Sequence, residues 1–369
     1  MRIEELKKLA KRRKLDRVLV TTQANVRAFT GVNCDNAVVE VEGQLGRLGQ
    51  LGRLDRVVFF TDFRYVPMVH RVAPGLKVKD LRRLGRTRDA RRETCRIGYE
   101  ASIPHVQFLA WQKLFPKAKF VDVSKDLAAI RAVKTPDEIA ALRAAEKLNC
   151  EIWEAARGRF KAGMTEKQMA RIIQKLMIER GDGEAFDTIV CVGKNAAECH
   201  HEPDDTVWNG REPVLVDMGV KLNGFCSDLT RNLVGTSEAS RSSGSRTART
   251  TRPSSLYRKV YALVLEANRA AIAAAKPGIT GRQLDKVARD VIRKGGFGKC
   301  FGHSLGHGVG YEIHEAPYAA KRDDTVLKSG MLVTIEPGVY LEDNLGVRIE
   351  DLVLITEGGC EVLSAACAK

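Results

Sequence analysis

The chain has 369 residues, of which 44% are hydrophobic and 29% are charged, and its formal net charge at pH 7 is +15. This length allows two domains with a sizeable core, and the composition is ordinary for a globular protein. No apolar run approaches the roughly 20 residues of a membrane span, and the charged first residues lack the apolar core of a signal peptide. Nine scattered cysteines without a CxxC pair argue against a disulfide framework. We therefore expect a cytoplasmic protein with no membrane partner.

Two basic stretches, Arg82 to Arg96 and Arg241 to Arg252, carry much of the positive charge. Such clusters can bind phosphate groups electrostatically. Neither stretch contains an aromatic residue for base stacking, and no nucleic-acid-binding motif accompanies them. We interpret them as solvated basic faces and expect no specific nucleic-acid binding.

The first third of the chain, residues 1–133, predicts a smaller α/β domain. Gln44 to Leu54 places glycine at every third position and predicts an inserted loop. Hydrophobic patterning predicts a helix over Lys7 to Lys14 and strands over Arg17 to Thr22, Ala37 to Val41 and Val57 to Thr61.

A second domain, residues 134–369, is expected to begin with a long helix. Thr135 and Glu138 form a capping box, and Pro136 occupies the first helical position. An internal repeat follows, in which Lys161 to Gln168 recurs as Lys276 to Gln283, 115 residues later. Each copy predicts a helix capped by Thr-x-x-Gln that ends at a glycine, and strand-rich sequence follows both. The repeat therefore predicts a pseudo-symmetric domain.

Asp217 and Asp228 each lie in an apolar run, where a charge is costly unless it is paired or binds a metal ion. Between them, Asn223-Gly224 is a strong signal for a two-residue β-hairpin turn. A hairpin with this turn makes the two aspartates diagonal neighbours on one face, about 7–8 Å apart at the backbone. Both carboxylates can then share a divalent cation.

Further candidate ligands follow in the sequence. His303, His307 and His314 lie in a glycine-rich stretch, and Glu336 and Glu350 each follow β-branched residues. His307 and His314 have opposite parity, so a β-bulge at a glycine is needed to bring them to one face. Two Asp, one His and two Glu can hold two cations about 3.5–4 Å apart. This hard donor set favours Mn²⁺, with Co²⁺ or Zn²⁺ as alternatives.

The residues from 236 to 255 are almost all Ser, Thr, Arg and Gly. This segment is too polar to join a core, so we expect a mobile surface loop.

The order of the acidic and histidine ligands resembles the pita-bread metallopeptidases, and most closely their aminopeptidase P and prolidase branch. The resemblance implies an N-terminal creatinase/prolidase-like domain and a pseudo-twofold catalytic domain of the pita-bread fold. It implies that Asp217 binds one metal ion, that Asp228 and Glu350 bridge two ions, and that His307 and Glu336 complete the second site. It also implies a homodimer.

The same resemblance implies hydrolysis of Xaa-Pro peptide bonds, in a dipeptide or a longer peptide, by a hydroxide that bridges the two metal ions. Glu336 would accept a proton, and His200 and His314 would act on the transition state, with His201 as an alternative to His200. His303 and Arg348 would contact the substrate, although Arg348 can equally form a salt bridge. The competing hypothesis is a non-catalytic pita-bread protein that binds nucleic acid or a protein partner.

Overall fold

The structure is a computed structural model that describes residues 2–43, 57–85, 94–234 and 254–369. The chain divides into two compact units, Met1–Arg131 and Ala132–Lys369. The predicted loop at 44–54 lies outside the described residues, as do the centre of the Arg82 to Arg96 stretch and nearly all of 236–255. Within the described ranges, no helix combines the length and apolar character needed to cross a membrane.

A six-stranded sheet forms the centre of the first unit. Its strands are β1 Arg17–Val20, β2 Ala37–Glu42, β3 Val57–Thr61, β4 Lys77–Asp80, β5 Arg96–Tyr99 and β6 Lys119–Asp122. Their order is β4-β3-β2-β1-β5-β6, with β2 antiparallel to both neighbours and the other pairs parallel. Helices α1 to α5 accompany the sheet: Ile3–Arg13, Gln23–Thr30, Val66–Val72, His105–Leu114 and Ser124–Ala132.

This sheet is buried on both faces. Val18 and Val20 join one apolar cluster, whereas Leu19 between them joins another. Successive side chains of a strand point to opposite faces, so a strand covered on both sides reads as a continuous apolar run. The predicted strands are confirmed, although β1 ends at Val20, two residues early, and α1 begins at Ile3, four residues before the predicted helix.

The long helices of the second unit begin where the capping boxes predict. Thr135, Thr165 and Thr280 each accept a hydrogen bond from the backbone of the third helical residue, whose side chain accepts in return from the threonine backbone. The two helices that begin within the two copies of the repeat also end at the predicted glycines, Gly181 and Gly295. In order, the helices are α6 Pro136–Arg157, α7 Glu166–Arg180, α8 Ser255–Ala274 and α9 Gly281–Lys294.

The internal repeat adopts the same local structure twice, which confirms the predicted pseudo-symmetry. Each copy contains a glycine with positive φ, 93° at Gly163 and 92° at Gly278. Each capping threonine then forms an isolated antiparallel bridge to a valine further along the chain; the pairs are Thr165 with Val207 and Thr280 with Val326.

Small antiparallel sheets complete the second unit. Their orders are β11-β10-β7, β12-β9-β8, β13-β14, β15-β18-β19 and β16-β17. Most of the candidate ligands lie at the ends of these strands or between them. The strands are β7 Gly183–Glu184, β8 Ile189–Val192, β9 Val214–Met218, β10 Val220–Leu222, β11 Phe225–Cys226, β12 Leu229–Leu233, β13 Gly306–Gly308, β14 Glu315–Ala319, β15 Leu332–Ile335, β16 Gly338–Leu341, β17 Leu345–Arg348, β18 Asp351–Ile355 and β19 Cys360–Val362.

Candidate metal centre

The two aspartates lie on the hairpin that the sequence predicts. Asn223 and Gly224 both have positive φ, 50° and 70°, as a type I′ turn requires. Leu222 pairs with Phe225, and the same register continues into the next sheet, where Asp217 pairs with Thr230. Asp228 is two residues from Thr230, so Asp217 and Asp228 are the predicted diagonal neighbours.

The antiparallel pair β13–β14 brings two histidines together. The pairing of β13 with β14 shifts register between His307 and Gly308, at one of the glycines where the sequence requires a bulge. His314 lies immediately before β14, and its ring centroid is 4.3 Å from that of His307 in an edge-to-face arrangement. The predicted irregularity is therefore present, but His307 and His314 lie on opposite sides of an antiparallel pair and not on one regular strand. The shift spans two residues and leaves the parity unchanged, so the antiparallel pairing itself brings the two residues to one face.

Glu336 and Glu350 lie at junctions between strands. Glu336 separates β15 from β16, and Glu350 separates β17 from β18. The β-branched residues before each glutamate predict a strand with the acid inside it, and this detail is wrong, because the chain leaves one sheet and enters another at each glutamate. The backbone N–H groups of Glu336 and Glu350 donate to the carbonyls of Leu305 and Thr230, at 2.9 and 3.3 Å, and fix these junctions.

The five predicted ligands line one cavity of about 450 Å³ in the second unit. The Nε2 atom of His307 lies 3.3 Å from Glu336 Oε1 and 3.6 Å from Asp228 Oδ2. Asp228, His307 and Glu350 each offer one ligand atom within 4.8 Å of the other two. Asp217, His200, His303, His314 and Arg348 line the same cavity, so the structure brings every candidate site residue together.

The carboxylates repel one another in this cavity. Burial raises the pKa of Asp228 and of Glu350 well above the usual values, and the charges of neighbouring carboxylates raise both pKa values further. Burial also raises the pKa of Glu336, but its hydrogen bond to His307 and the nearby positive groups outweigh that effect, so the net shift is downward. Divalent cations would relieve this repulsion and lower the pKa values of Asp228 and Glu350.

Two further observations fit a metal site. Asp217 Oδ1 is buried and has no hydrogen-bond partner within the described residues, although buried polar atoms are normally paired. His307 Nδ1 lies 3.1 Å from the carbonyl oxygen of Gly308. With the ring proton on Nδ1 donated to that carbonyl, the lone pair of Nε2 faces Asp228 and Glu336, which is the tautomer that a metal ligand needs.

Arg348 orients Asp217 and connects it to two other side chains. Its Nη2 donates to Asp217 Oδ2 at 2.6 Å, its Nε to Thr230 Oγ1 at 3.0 Å, and its Nη1 to the Tyr340 hydroxyl at 2.8 Å. The Tyr340 hydroxyl is 2.9 Å from His303 Nε2. Because the guanidinium is buried and engaged on all three nitrogens, this geometry favours the salt-bridging alternative for Arg348 over direct contact with a substrate.

The neighbouring histidines 200 and 201 have different surroundings. The imidazole of His201 is held by Glu166, with Nε2 2.8 Å from Glu166 Oε2, and its Nδ1 is 3.4 Å from Glu198. His200 is exposed in the cavity, and its charge contributes to a lowered pKa of His314, after burial and the charge of His307. Of the two histidines, His200 is therefore the one available to a substrate.

Several site residues escape the sequence analysis. Tyr340 pairs with Gly346, which places it diagonally opposite Arg348 on the β16–β17 hairpin. The hairpin rule that located Asp217 and Asp228 would have found this neighbour as well. Phe186, Ile313 and Tyr318 form an apolar part of the cavity wall, and no local motif distinguishes them from core residues.

Two family models match the chain. Metallopeptidase family M24 matches residues 140–357, and the creatinase/prolidase N-terminal domain matches residues 2–133. The chain is 32% identical to a Xaa-Pro dipeptidase of Pyrococcus furiosus over 365 residues, which cover 98% of this chain and 97% of the relative.

Solved structures share the whole fold. Prolidase from Pyrococcus furiosus has a TM-score of 0.83 at 31% identity, and the match covers 97% of this chain and 98% of that structure. An X-Pro aminopeptidase from Thermotoga maritima has a TM-score of 0.82 at 29% identity and covers 97% of both chains.

Proposed function

The chain belongs to metallopeptidase family M24, in its prolidase and aminopeptidase P branch, and on that premise we propose that it hydrolyses Xaa-Pro peptide bonds with two divalent metal ions. Membership confirms the fold and the class of enzyme, a metallopeptidase, predicted from the sequence. The observation that carries the proposal is the convergence of five hard ligands in one cavity of a chain similar throughout to Xaa-Pro peptidases. Nothing in the described site or among the relatives supports the non-catalytic alternative.

The five ligands suit two hard divalent cations. Asp228 and Glu350 would bind both ions, Asp217 would complete one site, and His307 and Glu336 would complete the other. When bound, the ions would lower the pKa of a water molecule and polarise the scissile carbonyl. With four carboxylates and one imidazole, we propose Mn²⁺ as the native metal.

The side chains around the ligands have distinct tasks in this proposal. Glu336, whose pKa is held down beside His307, is ionised at neutral pH and can accept a proton and pass it to the leaving nitrogen. Burial lowers the pKa of His314, so its imidazole is neutral and can donate an N–H to the developing oxyanion. His200 faces the same cavity and would share this task.

The remaining wall of the cavity suits a proline ring. Phe186, Ile313 and Tyr318 present apolar surface beside the metal ligands, where an apolar ring without an N–H can pack. His303 lies at the same cavity and is held by the Tyr340 hydroxyl. We assign His303 to the binding of the substrate backbone and Arg348 to the orientation of Asp217.

We extend the proposal to the biological state of the enzyme. The catalytic domain comprises residues 134–369, the preceding residues 1–133 form a separate domain, and the enzyme is a homodimer in the cytoplasm. Light scattering of the purified protein measures the subunit number.

A substrate panel tests the function. Protein freed of metal by chelation should be inactive, and Mn²⁺ should restore cleavage of Xaa-Pro dipeptides. A matched set of Xaa-Pro, Xaa-Pro-Xaa and Xaa-Ala peptides then separates dipeptidase from aminopeptidase activity and tests the requirement for proline. Equal rates on Xaa-Pro and Xaa-Ala, or no cleavage with any added divalent metal, would refute the proposed function.

A further inference from the structure

We infer that Glu166, acting through His201, is the positioning element that fixes His200 in the catalytic cavity. The inference rests on the proposed function, because it assigns a purpose to two adjacent histidines that face different partners. His200 is exposed in the cavity, whereas His201 donates to the fully buried Glu166. One histidine therefore serves the substrate and the next one anchors the backbone between them.

Glu166 holds the segment that carries His200 at several points. Its Oε1 accepts from the backbone N–H of Val192 at 2.6 Å and from Asn195 Nδ2 at 3.0 Å. Its Oε2 accepts from His201 Nε2 at 2.8 Å and from the backbone N–H of Asp204 at 3.0 Å. Together the two oxygens therefore hold residues 192–204 at the beginning of the segment, within it and at its end.

The residue before His200 is held from the opposite side. The carbonyl oxygen of Cys199 accepts from Arg348 Nη1 at 3.4 Å, and the same guanidinium binds Asp217. The residue before His200 therefore contacts Arg348, and the residue after it contacts Glu166. Such flanking contacts restrict where the His200 ring can enter the cavity, and catalytic groups must be held within fractions of an ångström.

The same three side chains could be read as a second metal site. Glu166, His201 and Asp204 each offer an atom within 4.8 Å of the others. However, each oxygen of Glu166 already accepts two N–H donors, and His201 Nε2 must keep its proton to donate to Glu166. A metal ion would have to displace these hydrogen bonds, so the arrangement favours an anchor made of hydrogen bonds.

Two substitutions at one position test the anchor. His201→Phe keeps a ring but removes the donor, whereas His201→Gln keeps an N–H that can reach Glu166. We expect H201F to lower kcat on a Xaa-Pro dipeptide about tenfold or more with little change in KM, and H201Q to remain within about threefold of the wild type. Asp205→Asn, an exposed change at the residue directly after this segment, is the matched control and should leave kcat unchanged.

Two readouts separate this inference from the proposed function. Elemental analysis should give the same metal content in H201F, H201Q and wild type, and a loss of metal in H201F alone would favour the metal reading and overturn the anchor. NMR of protein labelled with ¹³C-histidine should show a shifted or broadened His200 signal in H201F and a wild-type signal in H201Q; the spectrum of His200→Ala assigns that signal. This spectrum tests the anchor even if the wild type does not cleave Xaa-Pro substrates.

The inference fails if H201Q is as impaired as H201F, or if both variants match the wild type in kcat and in the His200 signal. Should H201F not fold, His201→Asn makes the same comparison, because its amide is too short to reach Glu166.

Discussion

Arg348 donates to one oxygen of Asp217 at 2.6 Å and leaves the other oxygen of that carboxylate buried without a partner in the described residues. The ion pair fixes the carboxylate and opposes the rise in its pKa that burial causes, and the unpaired oxygen is the one that can bind a cation. An arginine that orients a proposed metal ligand in this way would contribute to metal affinity without touching the metal ion.

Arg348→Met should weaken metal binding. Removal of the guanidinium leaves Asp217 buried beside Glu336 without its neutralising partner, and supporting residues of this kind typically change metal affinity or activity about 10–100-fold. Titration calorimetry with Mn²⁺ measures the affinity and an Xaa-Pro assay measures kcat. Arg211→Met, an exposed change in the same unit, is the control. Wild-type affinity in R348M would show that Asp217 does not depend on this ion pair.

Asp228→Ala or Glu350→Ala should abolish activity, because each is assigned to both metal ions. We expect a loss of about a hundredfold or more in kcat/KM together with a reduced metal content, whereas the wild type should contain about two ions per chain. Elemental analysis of the purified variants measures the content. The presence of two tightly bound ions in D228A would contradict the bridging assignment.

His200→Ala and His314→Ala should separate catalysis from metal binding. Neither residue belongs to the proposed ligand set, and both face the cavity, so each variant should lose about a hundredfold in kcat while it keeps its metal ions. Parallel measurement of kcat and metal content tests this separation. H200A should be more impaired than H201F, and a severe H201F beside a mild H200A would reverse the assignment of the two histidines.

The ligand geometry was largely predictable where it depends on local rules. Asn223-Gly224 defines the turn, and the period of two along a strand then places Asp217 and Asp228 on one face. That short segment contains all the information. His307 and His314 were expected on one strand, where their opposite parity would require a bulge; they lie on two sides of an antiparallel pair, which brings them to one face.

Contacts between distant segments were not predictable. Glu336 and Glu350 lie at junctions between sheets, and nothing in their neighbouring residues marks where one sheet ends and the next begins. The partnership of Glu166 with His201 joins the start of a helix to a loop 35 residues later, and it becomes visible only when the fold brings the two together. Sequence patterns describe faces of single elements, so packing between elements needs the structure.

The pH dependence of the free energy of unfolding tests the effect of burying Glu146. This glutamate on α6 is fully buried, and one of its oxygens accepts from the backbone N–H of Asp228 while the other has no partner in the described residues. Burial raises its pKa from 4.5 to about 8. Between these values the folded state keeps a proton that the unfolded state has lost, so the free energy of unfolding should fall as pH rises, by up to about 1.4 kcal/mol per pH unit.

Glu146→Gln removes this titration, because a neutral amide replaces the carboxyl group. Chemical denaturation of metal-free protein between about pH 5 and about pH 8 should therefore show a shallower loss of stability in E146Q than in the wild type, with E146Q gaining most near pH 8. Glu151→Gln, an exposed change on the same helix, controls for the loss of one carboxylate and should keep the wild-type slope. Parallel stability curves for wild type and E146Q would mean that Glu146 is ionised in the folded protein, because only a group whose pKa differs between the two states makes stability depend on pH.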